Sequence, residues 1–438
     1  MRTMMRTVQL RLQRGFAAMA CRQRYGWRRY IRAQWRGLTT YWCWRMLPQV
    51  AAGQKGKTIL VIDDWLLRPD DSTLGRANDQ YLQQLQKMGW RVFLLLRQAG
   101  WDTPQIVPHS THWDEPYAQA LDKRGIPVLA SRLFRLRHRA WLQRNAAAID
   151  YVLFRWPDTA MAYLPFFRQQ STAKLLFLAM DLQAERKRRE YAITNNAADW
   201  QAAQRFAVME AEIFQAVDGV LTFSHEEGAW LRQQVGEKVF HLPILIYPVM
   251  PAARPLPPQG QTMLFVGNFA HSPNRDGVRW FLENCLPMIK QVNPAIKLVI
   301  AGALADAAIF AWQSAEVEVV GKVSDAQLTR LYEQARVVIA PLRFGAGVKG
   351  KVIEALAHGT PVVTTRFGVE GVPGLEAITS PADSPAAMTA AITRLLTDDD
   401  EWQRVSVAGQ AFVQQHFSSQ AAEQSLRQIF AWVEKSNR

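Results

Sequence analysis

Acidic side chains are missing from the first 62 residues of this 438-residue chain, in which Asp63 is the first carboxylate. The same stretch contains eleven arginines and two lysines, which give it a charge of +13. The whole chain has a net charge of +14, so the rest of the sequence is close to neutral. The basic isoelectric point is therefore a property of the amino-terminal segment and says little about the body of the protein.

Cysteine is also scarce, with three residues, at positions 21, 43 and 285. An odd number at these distances fits neither a disulfide framework nor a metal-ligand spacing, so we expect a reducing compartment. No run of about 18 apolar residues occurs, and we predict no transmembrane helix. Hydrophobic residues nonetheless make up 49% of the chain, which allows two or three domains with sizeable cores.

The basic segment has an amphipathic pattern. At about 100° per residue, five apolar side chains share one face of a predicted helix, whereas Arg6, Arg11 and Arg14 lie outside it. Arginines opposite an apolar stripe favour an anionic membrane surface, so we predict that residues 1–45 bind one. The apolar face consists of Met5, Val8, Leu12, Phe16 and Met19, and Trp27, Trp35, Trp42 and Trp44 follow it.

Other interpretations of this segment stay open. A mitochondrial transit peptide is also rich in arginine, but such peptides are usually rich in serine and the first serine here is Ser72. A nucleic-acid-binding arm is a second possibility, although no recognised motif accompanies it and we expect no nucleic-acid partner. A solvated or partner-docking extension is the third.

The body alternates short apolar strands with helical patterns, which is typical of βαβ units and parallel sheets. A proline-rich stretch with five prolines, residues 248–262, separates two such series. We predict an α/β fold with two doubly wound Rossmann-like domains facing across a cleft, preceded by a basic helical extension. The predicted units are the extension 1–55, an acceptor domain 56–247, the linker 248–262, a donor domain 263–420 and a carboxyl-terminal helix 421–438.

In the first series we predict strands at Lys57–Asp63, Trp90–Leu95, Ile126–Ala130, Tyr151–Phe154, Leu175–Leu178 and Gly219–Thr222, with a helix at Ala77–Met88. In the second we predict strands at Met263–Val266, Lys297–Ala301, Val317–Val320, Val337–Ala340 and Val362–Thr365. Helices are expected at Ala326–Ala335 and at Val278–Val292, the latter kinked or broken at Pro287.

Residues 341–371 carry the strongest functional signal. A strand ends at Ala340, a loop with three glycines follows, and a helix begins near Lys349. The free N–H groups of a helix start flanked by Lys349 and Lys351 form an anion site, for which a diphosphate is the obvious ligand. Glu354, one turn into the helix, has a carboxylate that accepts hydrogen bonds from a vicinal diol such as a ribose. The alternative is an ordinary βαβ connection with solvated lysines.

This stretch, PLRFGAGVKGKVIEALAHGTPVVTT and the residues to Gly371, resembles the signature of GT-B fold glycosyltransferases of family 4, retaining enzymes often found in bacterial polysaccharide synthesis. FVGNFAHSPNRDGVRWFLENCLPMI (265–289) and GKVSD (321–325) resemble further parts of the donor domain. VIDDWLLRPDDSTLGR (61–76) and AMDLQAERKRRE (179–190) resemble parts of the other domain more loosely. The resemblance covers residues 57–438.

The resemblance implies sugar transfer from a nucleotide-sugar with retention of the anomeric configuration, without metal or other cofactor. It implies donor contacts from Gly267, Asn268, Arg343, Gly345, Gly347, Val348, Lys349, Lys351, Glu354 and Glu370. It also implies acceptor contacts from Asp64, Asp70, Arg76 and Arg186, and catalytic roles for Asp181, Lys349 and Glu370. Asp64 and Asp70 have an equally good structural interpretation, as a strand-end cap and a solvated turn.

The sequence departs from the family pattern at two points. The first of the family's paired glutamates falls on Ala346, so we assign its contact with the donor sugar to Glu370. The Arg and Lys that usually follow the first glycine of the donor domain are absent after Gly267, so Lys349 and Lys351 are expected to balance the phosphate charge.

We expect a peripheral enzyme at the inner face of the cytoplasmic membrane that uses a glycan or lipid-linked acceptor in cell-surface polysaccharide synthesis. A nucleotide-sugar epimerase of the same fold is one alternative. A non-catalytic nucleotide-sugar- or glycan-binding subunit is another, and Ala346 is the residue that supports it.

Overall fold

The computed structural model describes residues 50, 56–66, 68–70, 72–97, 115–129, 140–252 and 261–436. The predicted membrane-binding residues 1–45 lie outside this set, as do Cys21, Cys43, nearly all of the extension 1–55 and residues 253–260 of the linker. Among the described helices, none is long and apolar enough to cross a membrane.

The amino-terminal domain contains strands β1 (Thr58–Asp63), β2 (Arg91–Leu96), β3 (Val128–Leu129), β4 (Tyr151–Phe154), β5 (Lys174–Ala179), β6 (Gly219–Thr222) and β7 (Val239–His241). They form one parallel sheet in the order β3-β2-β1-β4-β5-β6-β7. All six residues of β1 are buried, as expected for a central strand covered on both faces. The predicted strands are confirmed to within two residues at each end, and β7 was not predicted.

The described helices of this domain include α1 (Thr73–Lys87), α2 (Glu115–Lys123), α3 (Pro157–Gln170), α4 (Gln183–Thr194), α5 (Ala197–Ala216) and α6 (His225–Val235). Ser72 begins α1 by accepting a hydrogen bond from the N–H of Gly75 at 3.0 Å. Ser224 begins α6 in the same way, with the N–H of Glu227 at 3.1 Å. Both caps satisfy N–H groups that a helix start leaves unpaired.

The carboxyl-terminal domain contains β8 (Thr262–Val266), β9 (Lys297–Ala301), β10 (Val317–Gly321), β11 (Val337–Ala340) and β12 (Val362–Thr364). These strands are parallel in the order β10-β9-β8-β11-β12, which is the Rossmann order 3-2-1-4-5 without a sixth strand. Its helices are α7 (Ser272–Asn284), α8 (Leu286–Val292), α9 (Ala307–Phe310), α10 (Asp325–Gln334), α11 (Gly350–Ala357), α12 (Arg366–Val369), α13 (Glu376–Thr379) and α14 (Pro385–Thr397).

The predicted break at Pro287 is wrong by two residues. The first helix ends at Asn284, and Pro287 lies in the first turn of α8. Proline is tolerated there because its missing N–H would have no partner in a first turn. The chain therefore breaks at Cys285, before the proline.

Two final helices, α15 (Asp399–His416) and α16 (Ser419–Lys435), complete the chain. The second returns to the amino-terminal domain, where the ring of Phe430 lies 4.1 Å from that of Trp90 and 5.1 Å from that of Tyr151. The tyrosine hydroxyl also donates to the carboxylate of Glu434 at 2.8 Å. One apolar cluster consequently runs through both domains and α16.

Candidate active site

The candidate site lies in the cleft where the loops after β8 and β11 meet the loop after β5. The carboxyl ends of parallel strands are the usual place for ligands in α/β domains. Met180 and Asp181 line the cleft from the amino-terminal domain, and Gly347 lies against them. The predicted meeting of two sheets at one cleft is therefore present.

The glycines after β11 allow the two domains to approach closely. Gly347 has a φ of +66°, and a Cβ there would lie 2.9 Å from the carbonyl oxygen of Met180. A Cβ on Gly350 would lie 2.5 Å from Cγ2 of Thr73. We predicted that these glycines let the backbone approach a ligand closely. In the structure, Gly347 and Gly350 let it approach the amino-terminal domain closely.

Lys349 precedes the first residue of α11, and its side chain is 10% exposed. Its ammonium group donates to the carbonyl oxygen of Ala346 at 2.9 Å and also contacts that of Gly347. The nearest carboxylate oxygen, on Glu370, is 4.0 Å away. Burial lowers the pKa of Lys349, although Glu370 and Glu227 oppose this shift.

Lys351, in the first turn of α11, reaches across to α7. Its ammonium group donates to Oδ1 of Asn274 and lies 4.3 Å from the ring centroid of Phe265. Burial, followed by repulsion from Lys349, lowers its pKa to about 7. A nearby anion would favour the protonated form of this lysine.

The amino-terminal ends of α7 and α11 meet at Lys351 and Asn274. The Asn274 amide donates to the carbonyl oxygen of Asn268 at 2.6 Å, which fixes the loop after β8. Gly267, in this loop, would place a Cβ 2.9 Å from the ammonium nitrogen of Lys351. The starts of α7 and α11 thus lie side by side at Lys351, an arrangement suited to a diphosphate.

Glu370, after α12, is held by an arginine of the other domain. Arg189, on α4, donates to the Glu370 carboxylate at 2.7 Å and to the carbonyl oxygen of Gly345 at 2.7 Å. Its Nε also donates to Glu185 at 2.8 Å. Arg189 therefore fixes both the glycine-rich loop and the carboxylate assigned to the donor sugar.

Asp181 forms an ion pair with Arg186, with Nε and Oδ2 3.2 Å apart, and accepts from the amide of Gln183. Glu227 stands nearby and accepts from the N–H groups of Gly347 at 2.9 Å and Leu182 at 3.3 Å. Burial, followed by repulsion from Asp181, raises the pKa of Glu227 to about 8. Glu227 therefore joins the two domains largely as a neutral acid at pH 7.

Glu354 is buried, and its two oxygens contact the amino-terminal domain. Oε2 accepts from the hydroxyl of Thr73 at 2.9 Å, and Oε1 accepts from Arg76 and from the hydroxyl of Tyr247 at 3.0 Å. Nε2 of His358 lies 2.8 Å from the same hydroxyl. A ribose would have to replace some of these contacts to reach Glu354.

Four other predicted residues have protein partners in this structure: three form ion pairs or hydrogen bonds, and one packs in the core. Arg343 pairs with Asp276 of α7 through Nε at 2.8 Å, and Asp64 is buried against Arg97 at 2.6 Å. Asp70 accepts from the hydroxyl of Tyr117 at 2.6 Å and pairs with Lys322 across the cleft at 3.1 Å. Val348 packs against the shared core. None of these contacts tests their predicted ligand roles.

The sequence analysis missed several side chains at the site: Thr73, Arg189, Glu227, Tyr247 and Asn274. Arg189 lies inside the segment 179–190 that resembles the family. The sequence alone, however, does not indicate that Arg189 contacts Glu370. Tyr247 falls at the end of the predicted acceptor domain, where an aromatic residue before a linker gives no functional signal. Within the described residues, no three His, Cys, Asp or Glu side chains are grouped to hold a metal ion.

The comparison with known families concerns the domain that contains Gly267, Lys351 and the starts of α7 and α11, which we call the anion cradle. Residues 260–398 match the family model described as "Glycosyl transferases group 1". The match falls on the carboxyl-terminal domain, which is similar to the group 1 glycosyl transferases. An uncharacterized 44.6 kDa protein in the cps region of Klebsiella pneumoniae is 34% identical over 116 residues, which is 25% of this chain and 30% of that relative. The aligned segment thus spans less than a third of the relative's length.

Solved glycosyltransferases have a similar fold across the cleft. TarM of S. aureus, in a complex with fondaparinux, alpha-GlcNAc-glycerol and UDP, has a TM-score of 0.61 at 10% identity, over 85% of this chain and 99% of its own. Anabaena HepE, in complex with UDP-glucose, has a TM-score of 0.59 at 12% identity over 85% and 99% of the two chains. At these identities the likeness shows the fold, which is the two-domain GT-B arrangement.

Proposed function

We propose that the protein is a retaining glycosyltransferase that moves a sugar from a nucleoside diphosphate donor to a glycan or lipid-linked acceptor without a metal. The observation that carries this proposal is the anion cradle at Lys351, where the starts of α7 and α11 meet beside Gly267. The group 1 family match covers these helices. Uridine nucleotides in the TarM and HepE complexes make UDP-sugars the first donors to test.

The leaving diphosphate would bind at this cradle. Negative charge grows on its oxygen as the bond to the sugar C1 breaks, and Lys351 with the helix N–H groups would stabilise that charge. Glu370, positioned by Arg189, would hold the donor sugar. A front-face displacement then forms the C1–O bond to the acceptor hydroxyl, whose proton passes to the leaving phosphate oxygen.

The acceptor would approach from the amino-terminal domain, past Asp181 and Arg186. Their ion pair already faces the glycine-rich loop, since a Cβ on Gly347 would lie 3.1 Å from Cβ of Asp181. The Klebsiella relative lies in a cps region, which supports a role in cell-surface polysaccharide synthesis. Association of residues 1–45 with the inner face of the cytoplasmic membrane remains part of this proposal.

A donor screen tests the proposal. Purified protein is offered UDP-, GDP-, dTDP- and CMP-sugars, and thermal stabilisation is measured together with nucleotide release. The double variant Lys349→Ala with Lys351→Ala should abolish both responses, and Glu370→Gln should reduce release more than stabilisation. Lys297→Ala is the matched control, because this exposed lysine is the first residue of β9 and lies at the amino-terminal ends of the strands, opposite the site. Anomeric configuration of the product is then determined by NMR.

A non-catalytic binding subunit is the second candidate, and Ala346 in place of a carboxylate favours it. A donor that stabilises the protein, with no nucleotide release for any acceptor, would support this candidate. Release into water with a changed sugar would indicate the epimerase. Stabilisation that survives the double lysine change would show that the cradle is not the diphosphate site.

A further inference from the structure

A second cavity, of about 250 Å³, lies outside the cleft at the junction of three parts of the chain. The start of α6 and β7 line it from one domain, residues 371–373 line it from the other, and α15 and α16 close it. It is open to solvent, because His225, Gln415 and His416 are exposed at its wall. The proposed transfer reaction uses none of these side chains.

Three histidines dominate this cavity. The rings of His225 and His241 stack with centroids 3.7 Å apart, and His416 closes the opposite side at the end of α15. Nε2 of His241 lies 3.1 Å from the carbonyl oxygen of Phe223, so this nitrogen carries the proton and donates. Within the described residues, the ring nitrogens of His225 and His416 have no hydrogen-bond partner, which leaves them available to a ligand.

The surroundings favour negative charge. None of the described residues that line the cavity is acidic, and two glutamines and Ser425 add further donors. Arg232 of α6 and His416 lie close enough to depress the pKa of His225, after burial as the main cause. Of the acids on the elements around the cavity, Glu226 and Glu376 are exposed. Glu227, Glu370 and Glu423 are engaged with the N–H of Gly347, with Arg189 and with Arg427 respectively.

We propose that this cavity binds a small dianionic oxyanion of the phosphate class, either free or carried by a small metabolite. Burial is the main cause that lowers the pKa of the two stacked imidazoles, His225 and His241. A dianion that supplies the missing counter-charge would favour their protonation. His225 begins α6, so the positive end of an 11-residue helix adds to the attraction. The inference does not depend on the proposed transferase function.

An anion here would also act on the cleft. Gly371 lines the cavity and directly follows Glu370, and its carbonyl oxygen accepts from the N–H of His225 at 3.0 Å. Gly371 has a φ of +82°, and a Cβ there would lie 2.5 Å from the Ser224 hydroxyl. The segment is therefore fixed against α6, and a ligand that draws on His225 bears directly on the placement of Glu370.

Calorimetric titration of the full chain with sulfate at constant ionic strength is the test, because sulfate keeps both charges between pH 6.0 and 7.5. We expect saturable binding that is at least five-fold tighter at pH 6.0, with net proton uptake. His225→Gln and His416→Gln should each weaken it at least five-fold. Arg394→Gln, which removes an exposed cation on α14, should leave it unchanged. The proposed diphosphate site would also bind sulfate, so the titration is repeated with Lys351→Ala, in which the binding at this cavity should persist. Binding lost in Lys351→Ala would place the anion in the cleft and overturn the proposal.

Inorganic phosphate and glucose 1-phosphate distinguish a free anion from a metabolite-borne one, and the tighter ligand identifies the source. Glucose alone should not bind, and equal affinity for glucose would contradict the anion class. Histidine ¹⁵N shifts of the unmutated protein provide a second measurement that needs no variant. Sulfate should move the His225 signals toward the imidazolium form, and unmoved signals in the presence of saturating sulfate would refute the site.

Discussion

Arg76 on α1 and Glu354 on α11 form an ion pair that joins the two domains, with side chains only 12% and 3% exposed. The guanidinium also donates to Tyr247 at 3.1 Å and to Asp325 at 2.8 Å. The carboxylate assigned to the ribose is thus already occupied by the partner domain. The proposed ribose contact and the observed contact between the domains therefore use the same carboxylate.

Removal of one member of this pair should destabilise the protein strongly. Arg76→Ala leaves Glu354 buried without its cation, which costs about 3–5 kcal/mol in the free energy of unfolding. The double change Arg76→Ala with Glu354→Gln should cost less, because no buried charge is stranded. Urea unfolding gives both values. Arg205→Ala, which breaks an exposed pair with Asp158, should cost under about 1 kcal/mol; equal losses for both arginines would contradict this account.

Donor affinity should depend on pH through Lys351. Its pKa of about 7 is below the ordinary value, so the lysine is increasingly neutral above pH 7 and must take up a proton to meet the diphosphate. Affinity should fall from pH 7 to 9, by up to about tenfold per pH unit. The phosphates of a nucleotide-sugar do not titrate in this range, so their charge does not contribute to the pH dependence of the affinity. Lys351→Met should bind more weakly and take up about one proton fewer in calorimetry, and an unchanged slope would exclude Lys351.

The neutral form of Glu227 should make stability depend on pH. Its pKa is raised to about 8 in the folded chain, above the unfolded value of 4.5, so its contribution is full below pH 4.5 and is lost as pH rises through 8. Glu227→Gln imitates the protonated acid and keeps an acceptor for the N–H of Gly347. The melting temperature of the variant minus that of the natural protein should increase from pH 5 to pH 8. A constant difference would show that Glu227 is ionised.

Gly347→Ala should impair the site more than its backbone strain alone explains. Gly374 has a comparable φ of +87°, but a Cβ there would meet nothing closer than Phe412 at 3.5 Å. Gly374→Ala therefore measures the strain, about 1–2 kcal/mol, without a clash. The alanine at 347 would press on Met180 and Asp181, so we expect an additional loss of stability and a weaker response to the donor. Equal effects of the two substitutions would show that the domains do not close at Gly347.

Local pattern was enough to place the strands and the glycine-rich loop, because branched apolar runs and glycines act over a few residues. It was enough for Lys349 and Lys351, which lie at a helix start. Local pattern did not predict that Arg76 and Glu354 pair with each other, because they lie 278 positions apart in the sequence. Arg343 shows the same limit: its charge was visible, but Asp276 as its partner was not.

Because Phe430 and its neighbours on α16 pack into the first domain, that domain is made of two stretches of chain with the other domain inserted between them. The nascent first domain has a gap in its core until α16 has been synthesised. At about 5–20 residues per second, the ribosome needs roughly 10–40 s to add the chain between β7 and the end of α16. During that time the rings of Trp90 and Tyr151 lack the contact with Phe430 that α16 later provides.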